Sequence, residues 1–225
     1  MGIYPIEAAT NTKEFRMNRK YSEQEEFWAG EFGGDYIQRN LDSSIVAGNV
    51  SLFASALAQA NDLNSCIEFG ANIGLNLRAL RSLYPNLECS AVEINSTAAK
   101  ILAEIIGSDH VMNSSILDID SMEKFDLILI KGVLIHLNPD LLPNVYEKMY
   151  EMSSRYILVC EYYNPTPVSI DYRGHSDRLF KRDFAGEMLD LYTDLTLRDY
   201  GFVYHRDINF PLDDITWFLL EKKSK

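Results

Sequence analysis

Cysteine is scarce in this sequence and follows no recognisable pattern. The 225 residues include three cysteines, Cys66, Cys89 and Cys160, and each lies in an apolar, strand-like run. They do not form the spacing of a metal site, and an odd count disfavours a disulfide framework. We therefore expect buried, reduced thiols in a cytoplasmic protein, and no bound metal.

Positive charge and long apolar runs are also scarce. The chain carries 21 Lys and Arg against 33 Asp and Glu, a net charge of −12. Such a field repels a phosphate backbone, so we expect no nucleic-acid partner. The longest apolar stretch, FDLILIKGVLIHL, is interrupted by Lys131 and is too short to cross a bilayer. The first twenty residues lack an apolar core, so we predict neither a signal peptide nor a membrane partner.

The chain has the length and apolar content, 47%, of a single globular domain. Residues 1–20 are polar and mixed, and we expect a flexible N-terminal segment there. Residues 21–60 favour a helical N-terminal cover, since LDSSIVAGNVSLFASALAQA has a period close to 3.6. Residues 61–225 would form an α/β core. We treat residues 21–225 as one domain.

The first helix of this cover has a clear start and stop in the sequence. Ser22 with Glu25 three residues later forms a capping box, which predicts a helix running to about Glu31. Gly33 and Gly34 then predict its end, because paired glycines disfavour a helix interior.

From residue 61 onward, strand and helix patterns alternate. SCIEF, LECSAVEI, HVMNSSIL, FDLILIK and RYILVCEYY predict five strands, and helices follow the first, second and fourth. A proline-containing loop and a helix from about Arg182 to Leu191 come next. LTLRDYGFVYHRD and DITWFLLEKK then predict two strands without a helix between them. We predict an α/β fold: a Rossmann-like, doubly wound, mostly parallel seven-stranded sheet with an antiparallel C-terminal hairpin at its edge.

The stretch CIEFGANIGLN, after the first strand, indicates a ligand-binding loop. In a doubly wound fold, ligands bind at the carboxyl ends of the strands. Gly70 and Gly74 allow positive φ and a close approach to a ligand, and Asn72 tolerates the left-handed region. Glu93 closes the second strand about 20 residues later, the distance at which a carboxylate meets ribose hydroxyls.

The loop fits a nucleoside better than a dinucleotide. The second and third glycines of G-x-G-x-x-G would fall at Asn72 and Leu75, so two of the three are missing. A nucleoside without phosphates tolerates this loss. S-adenosylmethionine is such a ligand, and its methionine amino group suits Glu68, the acid just before the loop.

These motifs resemble a known class of enzyme. The E-x-G-x-x-x-G pattern, the acid closing the next strand and the terminal hairpin resemble the class I S-adenosylmethionine-dependent methyltransferases. More narrowly, QEEFWAGEFGGDYIQRN, EFGANIGLNL, KGVLIHLNPD and EYYNPTPVSIDYRGHSDRLFKRDFAGEM resemble the methylases associated with pseudaminic acid biosynthesis. The likeness covers roughly Tyr21 to Lys222. Relative to the usual G-x-G-x-G, Asn72 is a departure.

The resemblance implies a methyltransferase that uses S-adenosylmethionine and releases S-adenosylhomocysteine. It implies that Glu68 and Gly70 face the methionine part, with Asn72 and Gly74 completing the loop, and that Glu93 binds the ribose. The remaining implied cofactor contacts are Ser115 and Ile116 beside the adenine, Lys131 on the methyl-transfer side, and Trp28, Tyr36 and Arg39 over the cofactor. Arg39 would pair with the cofactor carboxylate.

The segment after the fifth strand concentrates basic and aromatic residues in an otherwise acidic chain. Its substrate-binding candidates are Tyr163, Tyr172, Arg173 and Arg178. This composition suits a small anionic acceptor, such as a sugar acid or a nucleotide-linked sugar. The alternative is a helix start with ordinary surface charges.

Methyl transfer to oxygen gains from a base, so a proton acceptor is expected near the acceptor. His175 is the first candidate, and Glu161 and Tyr162 are alternatives. His136, in VLIHL, is expected to be a packed helix or loop residue.

Two other functions stay open at this point. The chain could be a methyltransferase with an amino-acid or peptide acceptor, or a non-catalytic protein that binds S-adenosylmethionine. A second polar pocket beside the methyl group would favour an enzyme, because a mere binder does not need one.

Overall fold

The computed structural model of the chain describes residues 19–39, 43–120, 122–172 and 175–223. For residues 38, 39, 43 and 175–178 it describes the backbone alone. The predicted flexible segment therefore lies outside the described residues, except for Arg19 and Lys20.

Helices precede the sheet and then alternate with its strands. They are α1 (Glu23–Ala29), α2 (Glu31–Arg39), α3 (Ser43–Ala56), α4 (Leu75–Leu83), α5 (Ser96–Ile106), α6 (Leu142–Met152) and α7 (Phe184–Leu191). Short 3₁₀ turns lie at Ser108–His110, Ile116–Asp118, Leu134–His136 and Pro139–Leu141. The last three of these follow the third and fourth strands, where the chain crosses the carboxyl edge of the sheet.

The strands form one large and one small sheet. They are β1 (Ser65–Phe69), β2 (Glu88–Val92), β3 (Val111–Met112), β4 (Phe125–Lys131), β5 (Ser153–Glu161), β6 (Val168–Tyr172), β7 (His175–Lys181), β8 (Leu195–Val203) and β9 (Ile215–Lys222). The seven-stranded sheet has the order β3-β2-β1-β4-β5-β9-β8. Its first five strands pair in parallel, and β9 is antiparallel to both neighbours. The predicted seven-stranded architecture is confirmed.

Alternate residues of the central strands pack into two apolar cores, one on each face of the sheet. In β4, Leu127 and Leu129 share a fully buried cluster with residues of α3, α4 and α5. Ile128 and Ile130 share the opposite cluster with residues of α6 and α7. Both faces of the sheet are therefore covered, which explains the continuous apolar runs of β1, β4 and β5.

The N-terminal cover begins as predicted but ends differently. Both hydrogen bonds of the Ser22–Glu25 capping box are present. Gly33 and Gly34 do not end a helix, because they lie inside α2, and the break falls at Gly30. A Cβ at Gly33 would lie 1.9 Å from the carbonyl oxygen of Trp28. This glycine therefore allows two backbones to approach closely, rather than stopping a helix.

The third strand and the segment after the fifth strand also differ from prediction. The third strand is two residues long, because Ser115 caps a 3₁₀ turn through Leu117 N, at 3.1 Å. The segment after β5 was predicted as a loop, but it contains the antiparallel hairpin of β6 and β7, a sheet of its own.

Across the described ranges, none of the helices combines the length and apolar content needed to cross a bilayer.

Asn95 links the N-terminal cover to the α/β core. Its Oδ1 accepts from Thr97 N at 3.0 Å and Ala98 N at 3.1 Å, which caps α5. Its Nδ2 donates to the carbonyl oxygens of Trp28, Ala29 and Gly30 at 3.3–3.4 Å. One buried side chain therefore holds α5 and the end of α1 together.

We expect Asn95→Ala to lower the free energy of unfolding by about 1–2 kcal/mol, since the helix loses its cap. Asn95→Asp keeps the capping oxygen but loses the amide donor. Its free energy of unfolding should lie between those of the wild type and Asn95→Ala. Urea denaturation measures both, with Ser96→Ala at the exposed next position as the control. An unchanged midpoint for Asn95→Ala would show that the cap is not a stabilising contact.

Candidate functional site

A cavity opens at the carboxyl ends of β1, β2 and β4. Its empty volume, which includes the open solvent at its mouth, is about 1170 Å³. The loops after β1, β2, β3 and β4 form its floor, and α1, α2 and α3 contribute its cover. The predicted ligand-binding residues that line it are Trp28, Tyr36, Gly70, Asn72, Glu93, Ser115, Ile116 and Lys131.

The loop after β1 takes the backbone conformation that its residue types predict. Gly70, Asn72 and Gly74 have φ angles of 76°, 48° and 78°. Asn72 therefore stands in the left-handed region, as the sequence predicts. A Cβ at Gly74 would lie 2.6 Å from the Cδ1 atom of Leu102. The loop thus turns tightly into α4, against α5.

Glu93 fixes the geometry of this loop. Its Oε2 accepts from Asn72 N and its Oε1 from Asn95 N, each at 2.7 Å. Burial raises the pKa of Glu93, and these backbone hydrogen bonds lower it in part. Backbone amides do not use all the acceptor positions of the carboxylate, so the side chain can still accept a hydrogen bond from a ligand.

Glu68 lies behind the loop as a fully buried acid. Its Oε1 accepts from Asn76 Nδ2 at 2.6 Å, and Asn76 lines the cavity. Its Oε2 is buried and has no hydrogen-bond partner within the described chain. Burial raises the pKa of Glu68 to about 8, against smaller lowering effects of Asn76 and Lys131. A buried oxygen without a donor is costly, and Glu68 itself is not among the cavity-lining residues.

An ion-pair network lies beside the cavity near β3, with Glu25 and Ser115 in the lining, and it was not predicted. Arg19 pairs with Glu25 at 2.6 Å and with Asp118 at 2.9 Å. Ser115 Oγ donates to Glu25 Oε1. We call Arg19, Glu25, Ser115 and Asp118 the Arg19 network.

The Arg19 network keeps its central carboxylate ionised. Burial raises the pKa of Glu25, but hydrogen bonds from Arg19, Ser115 and Ser22 outweigh it and bring the pKa to about 2. The capping box was the available sequence signal, because it fixes the position of Glu25. It gave no indication that Arg19, in the segment predicted to be flexible, would join it.

The loop after β4 forms the side of the cavity opposite Glu93. Lys131, Gly132, Val133 and His136 line it. Beneath it, Glu161 Oε1 accepts from Val133 N and Leu134 N, both at 2.9 Å. Burial raises the pKa of Glu161 to about 7, although the amides lower it in part. Glu161 is thus placed to hold this loop and is not among the cavity-lining residues.

His136 is packed, as expected, but it also lines the cavity. Its ring lies 4.7 Å from Trp28 and 5.0 Å from Tyr172, between centroids. Trp28 in turn meets Tyr36 edge-on at 5.4 Å. We call Trp28, Tyr36, His136 and Tyr172 the aromatic cluster. The position of His136, just past the carboxyl end of β4, was the signal that could have indicated it.

Of the other predicted acceptor residues that the structure describes, Tyr162, Tyr163 and Tyr172 are not among the residues that line the cavity. Tyr163 is exposed and packs on Phe218 at 5.8 Å. Tyr162 hydrogen-bonds Asp213, and burial, followed by this acid, raises its pKa. Arg173 lies outside the described residues, as do the side chains of Arg39, His175 and Arg178. No group of acidic, histidine and cysteine side chains among the described residues could hold a metal ion.

Comparison with known proteins identifies the fold. No family model matches the chain, and no curated protein matches its sequence. A solved structure of Burkholderia thailandensis 1,6-didemethyltoxoflavin-N1-methyltransferase, with its acceptor and S-adenosylhomocysteine bound, superposes with a TM-score of 0.65 and 16% identity. It covers 99% of this chain and 94% of its own. The chain therefore has the class I methyltransferase fold.

Two further structures agree with this fold. Magnesium protoporphyrin IX methyltransferase from Synechocystis, with S-adenosylmethionine bound, has a TM-score of 0.62 and 10% identity, over 92% of this chain and 100% of that one. The plantazolicin methyltransferase BpumL, with S-adenosylhomocysteine, has a TM-score of 0.62 and 12% identity, over 89% and 94%.

We expect Asn72→Gly to be neutral or stabilising, because glycine adopts positive φ without strain. Asn72→Ala should instead lower the free energy of unfolding by up to about 1 kcal/mol, part of the cost of a left-handed L-residue, because alanine lacks the polar side chain that offsets this cost in asparagine. Denaturant unfolding of the two variants checks this. Equal stability of Asn72→Gly and Asn72→Ala would mean that the loop relaxes out of the left-handed region.

Glu68 makes the free protein less stable as pH rises. An unfolded glutamate ionises near pH 4.5, whereas folded Glu68 ionises near pH 8, so folding becomes less favourable between these values. We expect Glu68→Gln to raise the free energy of unfolding at pH 8 by about 1–3 kcal/mol, and by less at pH 5. Urea denaturation at both pH values, with exposed Glu88→Gln as control, measures this. A loss of stability at pH 8 would contradict it.

Proposed function

We propose that this protein is an S-adenosylmethionine-dependent methyltransferase. The observation that carries the proposal is Glu93, a buried carboxylate held by the amides of Asn72 and Asn95 at the end of β2. It stands beside a loop with left-handed backbone, and it lines the cavity together with Gly70 and Asn72 of that loop. The solved methyltransferases of this fold, with the cofactor or its product bound, support the same reading.

The residues present fit the cofactor. Glu93 would accept from the two ribose hydroxyls, and Glu68, which lies behind the cavity-lining Asn76, would be on the side of the methionine part. Ser115 and Ile116 would flank the adenine. The buried Nε1 of Trp28 and Oδ1 of Asn49, both on cavity-lining residues, have no hydrogen-bond partner in the described chain. These atoms give the cavity a donor and an acceptor that a polar ligand would satisfy.

A dinucleotide fits the same loop poorly. A pyrophosphate site uses backbone amides of this turn as donors. The amide of Asn72 already donates to Glu93, at 2.7 Å. The loop therefore suits a ribose held by a carboxylate rather than a pyrophosphate held by amides.

When bound, the cofactor supplies an electrophilic methyl group on a sulfonium. The chain would position the acceptor against it and exclude water. Glu161 supports the loop of Lys131 and His136 from below, so this side of the cavity is pre-organised.

For the acceptor we propose a small anionic molecule, a sugar acid or a nucleotide-linked sugar of the pseudaminic acid type. The resemblance of the sequence to that methylase family supports it, and Lys131 supplies a cation in the cavity lining. Arg173, Arg178 and His175 remain proposals for this site. Alternative functions are a methyltransferase with an amino-acid or peptide acceptor, and a non-catalytic binder of the cofactor.

Calorimetry with S-adenosylhomocysteine and with NAD tests the cofactor. We expect binding of the former and no heat with the latter. Clear binding of NAD, without a response to S-adenosylhomocysteine or S-adenosylmethionine, would refute the proposal.

Glu93→Ala should weaken the binding of S-adenosylhomocysteine by about 1.5–3 kcal/mol, the scale of hydrogen bonds to a charged group. The control is Glu88→Ala, at the exposed opposite end of the same strand. Circular dichroism establishes that both variants fold. An unchanged dissociation constant in folded Glu93→Ala would remove Glu93 from the site.

A further inference from the structure

The outer strand of the seven-stranded sheet, β8, has one open edge. It is the last strand in the order β3-β2-β1-β4-β5-β9-β8, and within the described ranges β9 is the strand that pairs with it. An open edge presents backbone N–H and C=O groups to any further strand, and natural proteins block such edges with charges, prolines or bulges. The sequence of β8 therefore decides what this edge can bind.

The first half of β8 is blocked, whereas the second half is not. The register with β9 shifts at Arg198, whose guanidinium is held by Glu221 at 3.0 Å. From Asp199 to Val203 the register is regular. Residues 200–204 read YGFVY and contain neither charge nor proline. This part of the strand thus lacks the charge, proline and bulge that prevent pairing with a second strand.

An exposed aromatic surface adjoins the open part of the edge. Tyr200 and Phe202 share one face of the sheet, because alternate residues of a strand point the same way. Tyr204 continues the row, 6.2 Å from Phe202 between ring centroids. Phe218 of β9 lies 6.4 Å from Tyr200 and 5.8 Å from Tyr163. We call Tyr163, Tyr200, Phe202, Tyr204 and Phe218 the β8 patch.

The β8 patch is large for the surface of a monomer. Its four outer rings, those of Tyr163, Tyr200, Phe202 and Tyr204, are 41–65% exposed. Together they leave in water about two whole aromatic side chains, roughly 300–500 Å². Apolar patches of this size on a monomer often serve an interaction. A standard interface takes about 800 Å² from each partner, so the patch supplies a large part of one partner's share.

The distribution of charge fits a second copy of this chain as the partner. With a net charge of −12, two copies repel each other over most of their surface. The row from Tyr200 to Tyr204 is uncharged, so two copies can meet there without bringing acids together. An apolar contact between uncharged rows needs no oppositely charged partner, and a second copy supplies the same row.

We propose that β8 pairs with β8 of a second copy of this chain, antiparallel and about a two-fold axis at Gly201. Gly201 is the centre of the regular segment from Asp199 to Val203. In this register Tyr200 of each copy lies opposite Phe202 of the other, and such cross-strand aromatic pairs stabilise a sheet. The two sheets become one, with a self-complementary contact as in most homodimers. The proposal concerns assembly and does not depend on the proposed function.

Neighbouring registers are less favourable than the register about Gly201. An axis at Asp199 would place two Asp199 carboxylates opposite each other, which is destabilising. An axis at Tyr200 would place Phe202 opposite Arg198, at the irregular part of the strand. An axis at Phe202 would place Tyr200 opposite Tyr204, which lies beyond the end of β8.

Sedimentation velocity of the full chain tests the dimer. We expect a species of twice the chain mass, with a dissociation constant on the order of 10 µM or tighter, because interfaces at the small end of the range are weak. Added salt should strengthen this dimer, since it screens the repulsion between two acidic chains.

Two outcomes of this experiment would overturn the proposal. One is a chain that stays monomeric at on the order of 100 µM, which would leave a different protein as the occupant of the β8 patch. The other is a dimer that salt weakens, because ion pairs elsewhere would then hold it together.

Two single variants test the position of the contact. Tyr200→Glu and Phe202→Lys each bring a charge against an apolar ring, so each should raise the dissociation constant at least about tenfold, because the charge must be desolvated. Met122→Lys, at an exposed apolar residue before β4, is the control and should dimerise as the wild type does. Thermal unfolding establishes that the variants fold. Dimers of wild-type strength in both charge variants would overturn the placement at β8.

Mixing the two charge variants tests the register. About the axis at Gly201, the new carboxylate of Tyr200→Glu lies opposite the new ammonium of Phe202→Lys, and the remaining Phe202 and Tyr200 face each other. We expect the mixture to associate at least about tenfold more tightly than either variant alone, since opposite charges then meet across the contact. A mixture that associates no more tightly than its components would overturn the axis at Gly201.

Discussion

The two hydrogen bonds from Asn72 N and Asn95 N to the Glu93 carboxylate are the contact on which the site depends. They join the loop after β1 to the start of α5, across the gap between two neighbouring parallel strands. Through the side chain of Asn95, the same contact reaches the carbonyl oxygens at the end of α1. The backbone of Trp28, a residue of the cavity wall, is therefore linked to Glu93 through Asn95.

Burial of acids recurs around this cavity, and it opposes stability. Glu68 and Glu161 each have a carboxylate oxygen without a hydrogen-bond partner in the described chain, and burial raises both pKa values. Their roles differ because their surroundings differ. Glu161 is held by two backbone amides and fixes a loop, whereas Glu68 has one amide donor and lies behind the ligand-binding turn. A protein selected for stability alone would not place both acids here.

Much of the fold could be predicted from the sequence, because local signals agreed with the global arrangement. Continuous apolar runs identified β1, β4 and β5, and the left-handed Asn72 followed from its residue type and its glycine neighbours. The predictions failed where contacts between residues far apart in the sequence determine the structure. Gly33 lies inside α2, where the carbonyl oxygen of Trp28 leaves no room for a Cβ, and no local pattern in the sequence reports this contact. The hairpin of β6 and β7 lies in a proline-rich segment whose strands pair only with each other.

The candidate site shows the same difference between local sequence signals and contacts of distant residues. Glu68, Gly70 and Glu93 belong to one short motif and its following strand, so spacing alone could indicate them. The aromatic cluster is assembled from α1, α2, β6 and the turn after β4, and its members are far apart in sequence. Arg19 reaches Asp118 across 99 positions. Contacts of this kind follow from the packing of the cover on the core, and sequence periodicity does not carry them.

The Arg19 network has a consequence for how firmly the N-terminal cover is attached at different salt concentrations. It joins the start of the cover to the turn after β3, and two of its members, Glu25 and Ser115, line the cavity. Arg19 and Asp118 are partly exposed, with side-chain exposures of 29% and 24%, and dissolved salt screens such pairs. Rising ionic strength would therefore weaken this attachment, whereas the loop after β4 is held by backbone hydrogen bonds to the buried Glu161. The two ends of one pocket thereby differ in their sensitivity to salt.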